Sequence, residues 1–183
     1  MQKYLITSNE FYTQNSDVFY KTLNRELKKH KPEYALFRDK TATNYEELAY
    51  VFALTCKEVG GVKSFIHQDI SLAKSLGVDG VHLTSKQFLE IEKAKSRNLE
   101  VIISTHSYDE VLQAQKLGAD AVTYSPIFVS PDKGEPKGVQ DLEELLSKCE
   151  IKVFALGGIV TDLHVEMIAK TKAYGFASIR YFV

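Results

Sequence analysis

Short apolar runs, rich in β-branched and aromatic residues, alternate along this chain with longer stretches in which apolar positions recur every three or four residues. The short runs are KYLIT (3–7), EYALF (33–37), KSFIH (63–67), GVHL (80–83), EVIIS (100–104), DAVTY (120–124), KVFAL (152–156) and GFASI (175–179). Each has the length and composition of a buried strand. Between them lie helix-patterned segments at 17–30, 44–59, 69–76, 86–98, 107–117, 141–149 and 162–171. In 107–117, Val111, Leu112 and Leu117 fall roughly on one helical face. Start signals agree: Asn44 stands two residues before Glu46, and Ser107 stands three before Glu110, the spacing of a capping box. Alternation of strand and helix predicts parallel strands with helices covering them.

The pattern also repeats. AKSLGVDGVHL (73–83) and AQKLGADAVTY (114–124) align without gaps, and AKTKAYGFASI (169–179) is a worn third copy. Each reads as a helix end, a glycine C-cap and a buried strand. Eight such strands fit a closed α/β TIM barrel, (β/α)8, better than the alternative, a doubly wound open sheet. The chain has 183 residues, short for a barrel that usually takes about 250. Some helices are therefore minimal, and the one after the last strand is short or missing. We expect one compact domain over 1–183.

Composition narrows the field. A net charge of −1 gives no global bias toward nucleic acid or an anionic membrane. No apolar stretch approaches the roughly 18 residues of a membrane span. The first residues, MQKYLITSNE, lack the charged-then-apolar build of a signal peptide, so a cytoplasmic location is expected. Cys56 and Cys149 have no metal or redox spacing and read as reduced thiols.

In a TIM barrel the chemistry lies in the loops after the strands. Those positions carry Arg38, Asp39 and Lys40 after the second strand, and His67, Gln68 and Asp69 after the third. His82 closes the fourth; Ser104, Thr105 and His106 close the fifth. LGGIVTD, with Gly157 and Gly158, follows the seventh, and Arg180 the eighth. A glycine pair alone is only a tight turn. After strand seven of a barrel it is also where backbone N–H groups commonly hold phosphate. His67, His82 and His106 on neighbouring strand ends raise a zinc site, although no acidic residue joins them. His106 has the alternative of acid–base work, imidazole being the side chain whose protonation changes nearest neutrality. After the sixth strand comes SPIFVSPDKGEPKG, with three of the four prolines and with Ser130 and Lys133. A long connection of this kind inside a compact domain is functional or disordered.

These motifs resemble the thiamine phosphate synthase/TenI family along nearly the whole chain. KYLITS is similar to its opening strand and FRDK (37–40) to its basic REK motif. DISLAKSLGVDGVHL resembles its DLALxxGADGVHLG segment, STHSYDEVLQAQKLGADAVTYSPIFVSPDKG its STHS-to-loop stretch, and FALGGI its AIGGI. The resemblance implies a TIM barrel, a homodimer, and substrates that are a thiazole phosphate and, for a synthase, a pyrimidine diphosphate joined with Mg²⁺. It matches Arg38 and Lys40 to the pyrophosphate-binding pair and Ser104 to the serine at the pyrimidine and pyrophosphate site. It matches Ser130 and Lys133 to the loop over the substrates, Gly157 and Gly158 to the thiazole-phosphate glycines, and His106 to the tautomerase's acid–base histidine. Lys133 and His106 are the catalytic candidates.

The departures fall on the metal. Gln68 stands where the synthase has its first metal-binding Asp, and Gln87 at the place of its second. Asp132 replaces a loop threonine, and Arg180 falls near a small serine. No metal ligand is assigned, and no cofactor beyond the Mg²⁺ of a retained synthase. Three readings stay open: a divergent synthase, a thiazole tautomerase, and a catalytically silent phosphate-binding or regulatory barrel.

Overall fold

A computed structural model describes residues 1–131 and 133–183; Asp132 lies outside the described residues. Eight parallel strands close in chain order into a barrel, β8 pairing with β1. They are β1 (Gln2–Ile6), β2 (Tyr34–Phe37), β3 (Lys63–His67), β4 (Gly80–Leu83), β5 (Glu100–Thr105), β6 (Ala121–Tyr124), β7 (Lys152–Leu156) and β8 (Gly175–Ser178). The helices are α1 (Asn9–Tyr12), α2 (Ser16–His30), α3 (Tyr45–Val59), α4 (Ile70–Leu76), α5 (Ile91–Ser96), α6 (Tyr108–Lys116), α7 (Gly138–Leu146) and α8 (Asp162–Ala169). After β8 only a single 3-10 turn, Arg180–Phe182, takes the place of a helix. The expected barrel with a minimal last helix is what forms, and the open sheet is set aside.

The strands read as continuous apolar runs because both faces are buried. Alternate residues point into the barrel, where Tyr4, Tyr34, Phe65 and Phe154 pack ring against ring at 5.1–5.9 Å between centroids. Four large rings leave room opposite for nothing larger than hydrogen. A Cβ on Gly80 would lie 2.4 Å from the Phe65 ring, and one on Gly175 2.7 Å from that of Phe154. The other face of each strand joins the layer beneath the helices, with Leu5, Phe37, Ile66, Val81 and Val101 buried among them.

The repeated helix–strand unit carries an acid with a structural task. Asp79 accepts from the Ser64 N–H at 2.8 Å, and Asp120 from that of Val101 at 2.7 Å. Glu33 does the same for Lys3 at 2.8 Å. Each carboxylate before one strand thus caps a strand already formed, at the end of the barrel away from the strand C-termini.

Two local expectations need correction. Asn44 precedes α3 but makes no side-chain cap bond; its amide donates to the Gln14 carbonyl instead. The inward face of α6 is Val111 and Ala114, while Leu112 and Leu117 are exposed, Leu117 because it lies past the last helical turn. The Ser107 cap does form, accepting from Glu110 N–H at 3.2 Å. Cys56 is buried and Cys149 half-buried, both free.

Candidate active site

Inward-pointing positions at the C-terminal strand ends have no further barrel layer above them, so they line the mouth. The mouth is a cavity of about 540 Å³, and all eight candidates, Arg38, Lys40, Ser104, His106, Ser130, Lys133, Gly157 and Gly158, line it. Five sectors can be distinguished by chemistry.

The floor is polar and tightly paired. Tyr4 Oη lies 2.9 Å from His82 Nδ1, and His82 Nε2 lies 3.0 Å from Ser104 Oγ. His67 lies beside His82, ring centroids 6.3 Å apart and the planes tilted by 56°. Burial, then His67 and Arg38, push the His82 pKa down to about 3, and burial, then Arg38 and Lys40, push that of His67 down to about 4. Both rings are neutral at physiological pH.

One wall is cationic. Arg38 is half-buried, its N–H fixed by Thr7 Oγ1 at 3.0 Å. Asp39 does not face a ligand: its carboxylate folds the turn by accepting from the N–H groups of Thr41 at 2.8 Å and Ala42 at 3.0 Å. Lys133 reaches across from the β6–α7 loop. Desolvation, then the like charges of Arg38 and Lys40, lower its pKa. Glu10 is the one carboxylate among the described lining residues.

The β6–α7 loop is anchored at its base. Ile127 N–H donates to Leu156 O at 2.9 Å and Phe128 N–H to Gly157 O at 3.0 Å, while Lys137 and Gly138 donate back to Pro126 and Ile127. Tyr124 Oη and Tyr108 Oη both donate to Asp141 at the start of α7. Only the tip, with Ser130 and Lys133, stands clear over the mouth. The glycine pair shares in this anchoring. A Cβ on Gly157 would lie 2.7 Å from Pro126 Cα, and one on Gly158 2.4 Å from Val129 O. Both residues also have positive φ, 98° and 70°. They are glycines for the loop's sake as much as for any ligand's, which sequence reasoning missed.

After β7, the N–H groups of Gly157, Gly158 and Ile159 find no acceptor among the described residues, and all three residues line the cavity. Ser178 Oγ ties this loop to the end of β8, donating to Ile159 O at 2.7 Å and accepting from Tyr181 N–H at 3.2 Å. That bond sets Arg180 on the same side of the mouth.

His106 stands on the rim. Its backbone N–H donates to Glu110 at 2.5 Å, and its Nδ1 lies 3.3 Å from the Ser125 carbonyl and 3.2 Å from Ser125 Oγ. Ser125 thus holds the ring through Nδ1, and Nε2 has no hydrogen-bond partner among the described residues.

The family model for thiamine monophosphate synthase matches residues 3–182. This chain belongs to the thiamine monophosphate synthase family. It is 34% identical over 186 residues, 98% of the chain and 96% of the relative, to the putative thiamine-phosphate synthase 2 of Aquifex aeolicus. It is 29% identical over 143 residues to the thiamine-phosphate synthase of Lactococcus lactis, covering 73% of this chain and only 65% of that protein. Among solved structures, the thiamine phosphate pyrophosphorylase of Pyrococcus furiosus superposes with a TM-score of 0.81 over 97% of this chain and 85% of that one, at 24% identity. A KDPGal structure follows with a TM-score of 0.78 over 97% and 82% at 13% identity, a likeness of fold.

Synthases of this family use Mg²⁺, and the residues present fit that ion poorly. Gln87 Oε1 is occupied by the Thr84 N–H at 3.0 Å and hydroxyl at 3.2 Å, and its amide nitrogen donates to the Gln68 carbonyl at 3.3 Å and to Glu90 at 3.2 Å. Asp69 is committed to capping α4 through Leu72 N–H at 2.8 Å. Among the described residues no three His, Cys, Asp or Glu side chains stand close enough to hold a metal, and the two ring nitrogens of His82 are already paired. Mg²⁺ is a hard ion that takes charged oxygen ligands, and among the described lining residues Glu10 is the one carboxylate. Among the described residues no helix is long and apolar enough to cross a membrane.

Proposed function

We propose that this family member binds a thiazole phosphate in the barrel mouth and acts on it by proton transfer through His106, as a tautomerase, without a metal. The observation that carries this reading is the joint lining of one cavity by Gly157, Gly158 and Ile159, whose backbone N–H groups have no partner among the described residues, and by His106, whose Nε2 has none either. Gly157, Gly158 and Ile159 would hold the phosphate monoester, with Arg180 adding charge. His106, oriented by Ser125, would take a proton from one position of the thiazole carboxylate framework and return it at another, so that nothing is gained or lost overall.

A second reading rests on the wall formed by Arg38, Lys40 and Lys133. Three cations lining the same mouth as the phosphate cradle suit a diphosphate, and Lys133 would then stabilise charge developing on a pyrophosphate leaving group. In that case the chain joins a pyrimidine diphosphate to the thiazole phosphate, with side-chain cations carrying charge that Mg²⁺ carries in other synthases.

The purified protein is assayed with the thiazole carboxylate phosphate tautomer and, separately, with both synthase substrates and Mg²⁺. The proposal expects isomerisation, reduced at least about a hundredfold in His106→Ala, the usual worth of a general base. Formation of thiamine phosphate would favour the second reading. Binding of the thiazole phosphate without turnover of either set would make the protein a silent binder and sink both.

A further inference from the structure

Tyr4, His82 and Ser104 form a chain of hydrogen bonds running from the sealed barrel interior to the cavity. Tyr4 and His82 are 0% and 2% exposed; His82 reaches the cavity floor and Ser104 stands at the chain's more open end, while Tyr4 does not line the cavity. The direction of the bonds follows from counting donors. Tyr4 Oη has His82 Nδ1 as its only hydrogen-bond partner among the described residues. Were His82 to carry its proton on Nδ1, the Tyr4 hydroxyl hydrogen would be buried with nothing to receive it, a costly arrangement. Tyr4 therefore donates to Nδ1. A neutral His82 then carries its proton on Nε2 and donates it to Ser104 Oγ. One of the serine's two acceptor lone pairs is taken, and its own hydrogen, for which no acceptor is found among the described residues, is left for the cavity.

We propose that Tyr4 and His82 are positioning residues that turn the Ser104 hydroxyl hydrogen toward the mouth, so that Ser104 donates to a ligand acceptor on the floor, such as a diphosphate oxygen or an unprotonated ring nitrogen. Phenol, imidazole and hydroxyl are thus ordered before any ligand arrives, and no rotor has to be fixed on binding. Burial first, then the neighbouring His67 and Arg38, keeps the His82 ring neutral and leaves the lock unchanged across the working pH range.

The proposal rests on the mouth being an anion site only for its binding arm; its tautomer arm needs no ligand. In ¹⁵N NMR of the wild-type protein near pH 7, His82 is expected to show a protonated Nε2 and a bare Nδ1. A proton on Nδ1 overturns the proposal whatever the mouth binds. The binding arm uses inorganic pyrophosphate. Tyr4→Phe and Ser104→Ala are each expected to weaken it about five- to tenfold, the usual effect of losing a hydrogen bond to a charged group. Tyr4→Phe made on top of Ser104→Ala should then cost nothing more, because the residues act as one unit. A structural effect of Tyr4 on barrel packing would persist in the Ser104→Ala background, and additive losses would contradict the relay.

Discussion

The neutral His82 at the centre of the barrel makes stability depend on acid in a calculable way. Its pKa is about 3 in the folded chain, against about 6.5 when unfolded. Between those values the unfolded chain binds a proton that the folded chain refuses, so stability is full above about pH 6.5 and falls as the pH drops toward 3. At pH 5, one and a half pH units below the unfolded value, the loss from this residue is about 2 kcal/mol. That is a large fraction of the 5–15 kcal/mol typical of a domain. His67, held at about 4, adds a similar slope. In His82→Gln the first contribution disappears and the second stays. The variant should be less stable than wild type at pH 7, having lost its pairing with Tyr4, yet lose about 2 kcal/mol less between pH 7 and pH 5. Urea unfolding followed by far-UV circular dichroism at both pH values measures this directly. Parallel losses in the two proteins would show that His82 does not resist protonation, and the reasoning about the floor would fail with it.

Other outcomes follow from the same geometry. Gly158→Ala puts a Cβ 2.4 Å from Val129 O at a φ of 70°, so a loss of about 2–4 kcal/mol is expected in thermal or urea unfolding; an unchanged midpoint would refute the account of loop anchoring. Pyrophosphate should bind in EDTA at least as well as in Mg²⁺, and Lys133→Ala should weaken it about tenfold, with the difference shrinking at high salt; calorimetric titration decides, and a Mg²⁺-dependent gain of tenfold or more would show that the mouth does receive the metal. Arg180→Ala should lower affinity for the thiazole phosphate several-fold and leave pyrophosphate binding unchanged, if the mouth has two anion sites as drawn; equal losses for both would merge them.

Much of this molecule is legible without coordinates because its strands are buried on both faces. KSFIH, GVHL and KVFAL appear as short segments with an apolar centre, and the strands formed there begin and end at the same residues. Helix starts are less legible. α1 has only four residues, too few for any periodicity, and α7 begins at Gly138 rather than at Asp141, since the first turn carries no apolar stripe. The candidate side chains were found by position: strand ends of a barrel converge on one mouth, and Arg38, Ser104, His106 and Gly157 do so. What the strand ends could not reveal was depth. Tyr4 lies in the first strand and reads as core, and only closure of the barrel brings it against His82, 78 residues away. The glycine pair misled in another way, because a requirement set by Pro126 and Val129 across the sheet leaves no trace in the local sequence.

The central claim is that unspent N–H groups at the end of β7 receive the phosphate of a thiazole phosphate. Titrating that ligand into ¹⁵N-labelled protein tests it most directly. The account predicts that the amide resonances of Gly157, Gly158 and Ile159 shift first and furthest, saturating together. Saturable binding that leaves those three amides unmoved, with the changes elsewhere on the barrel, would contradict it.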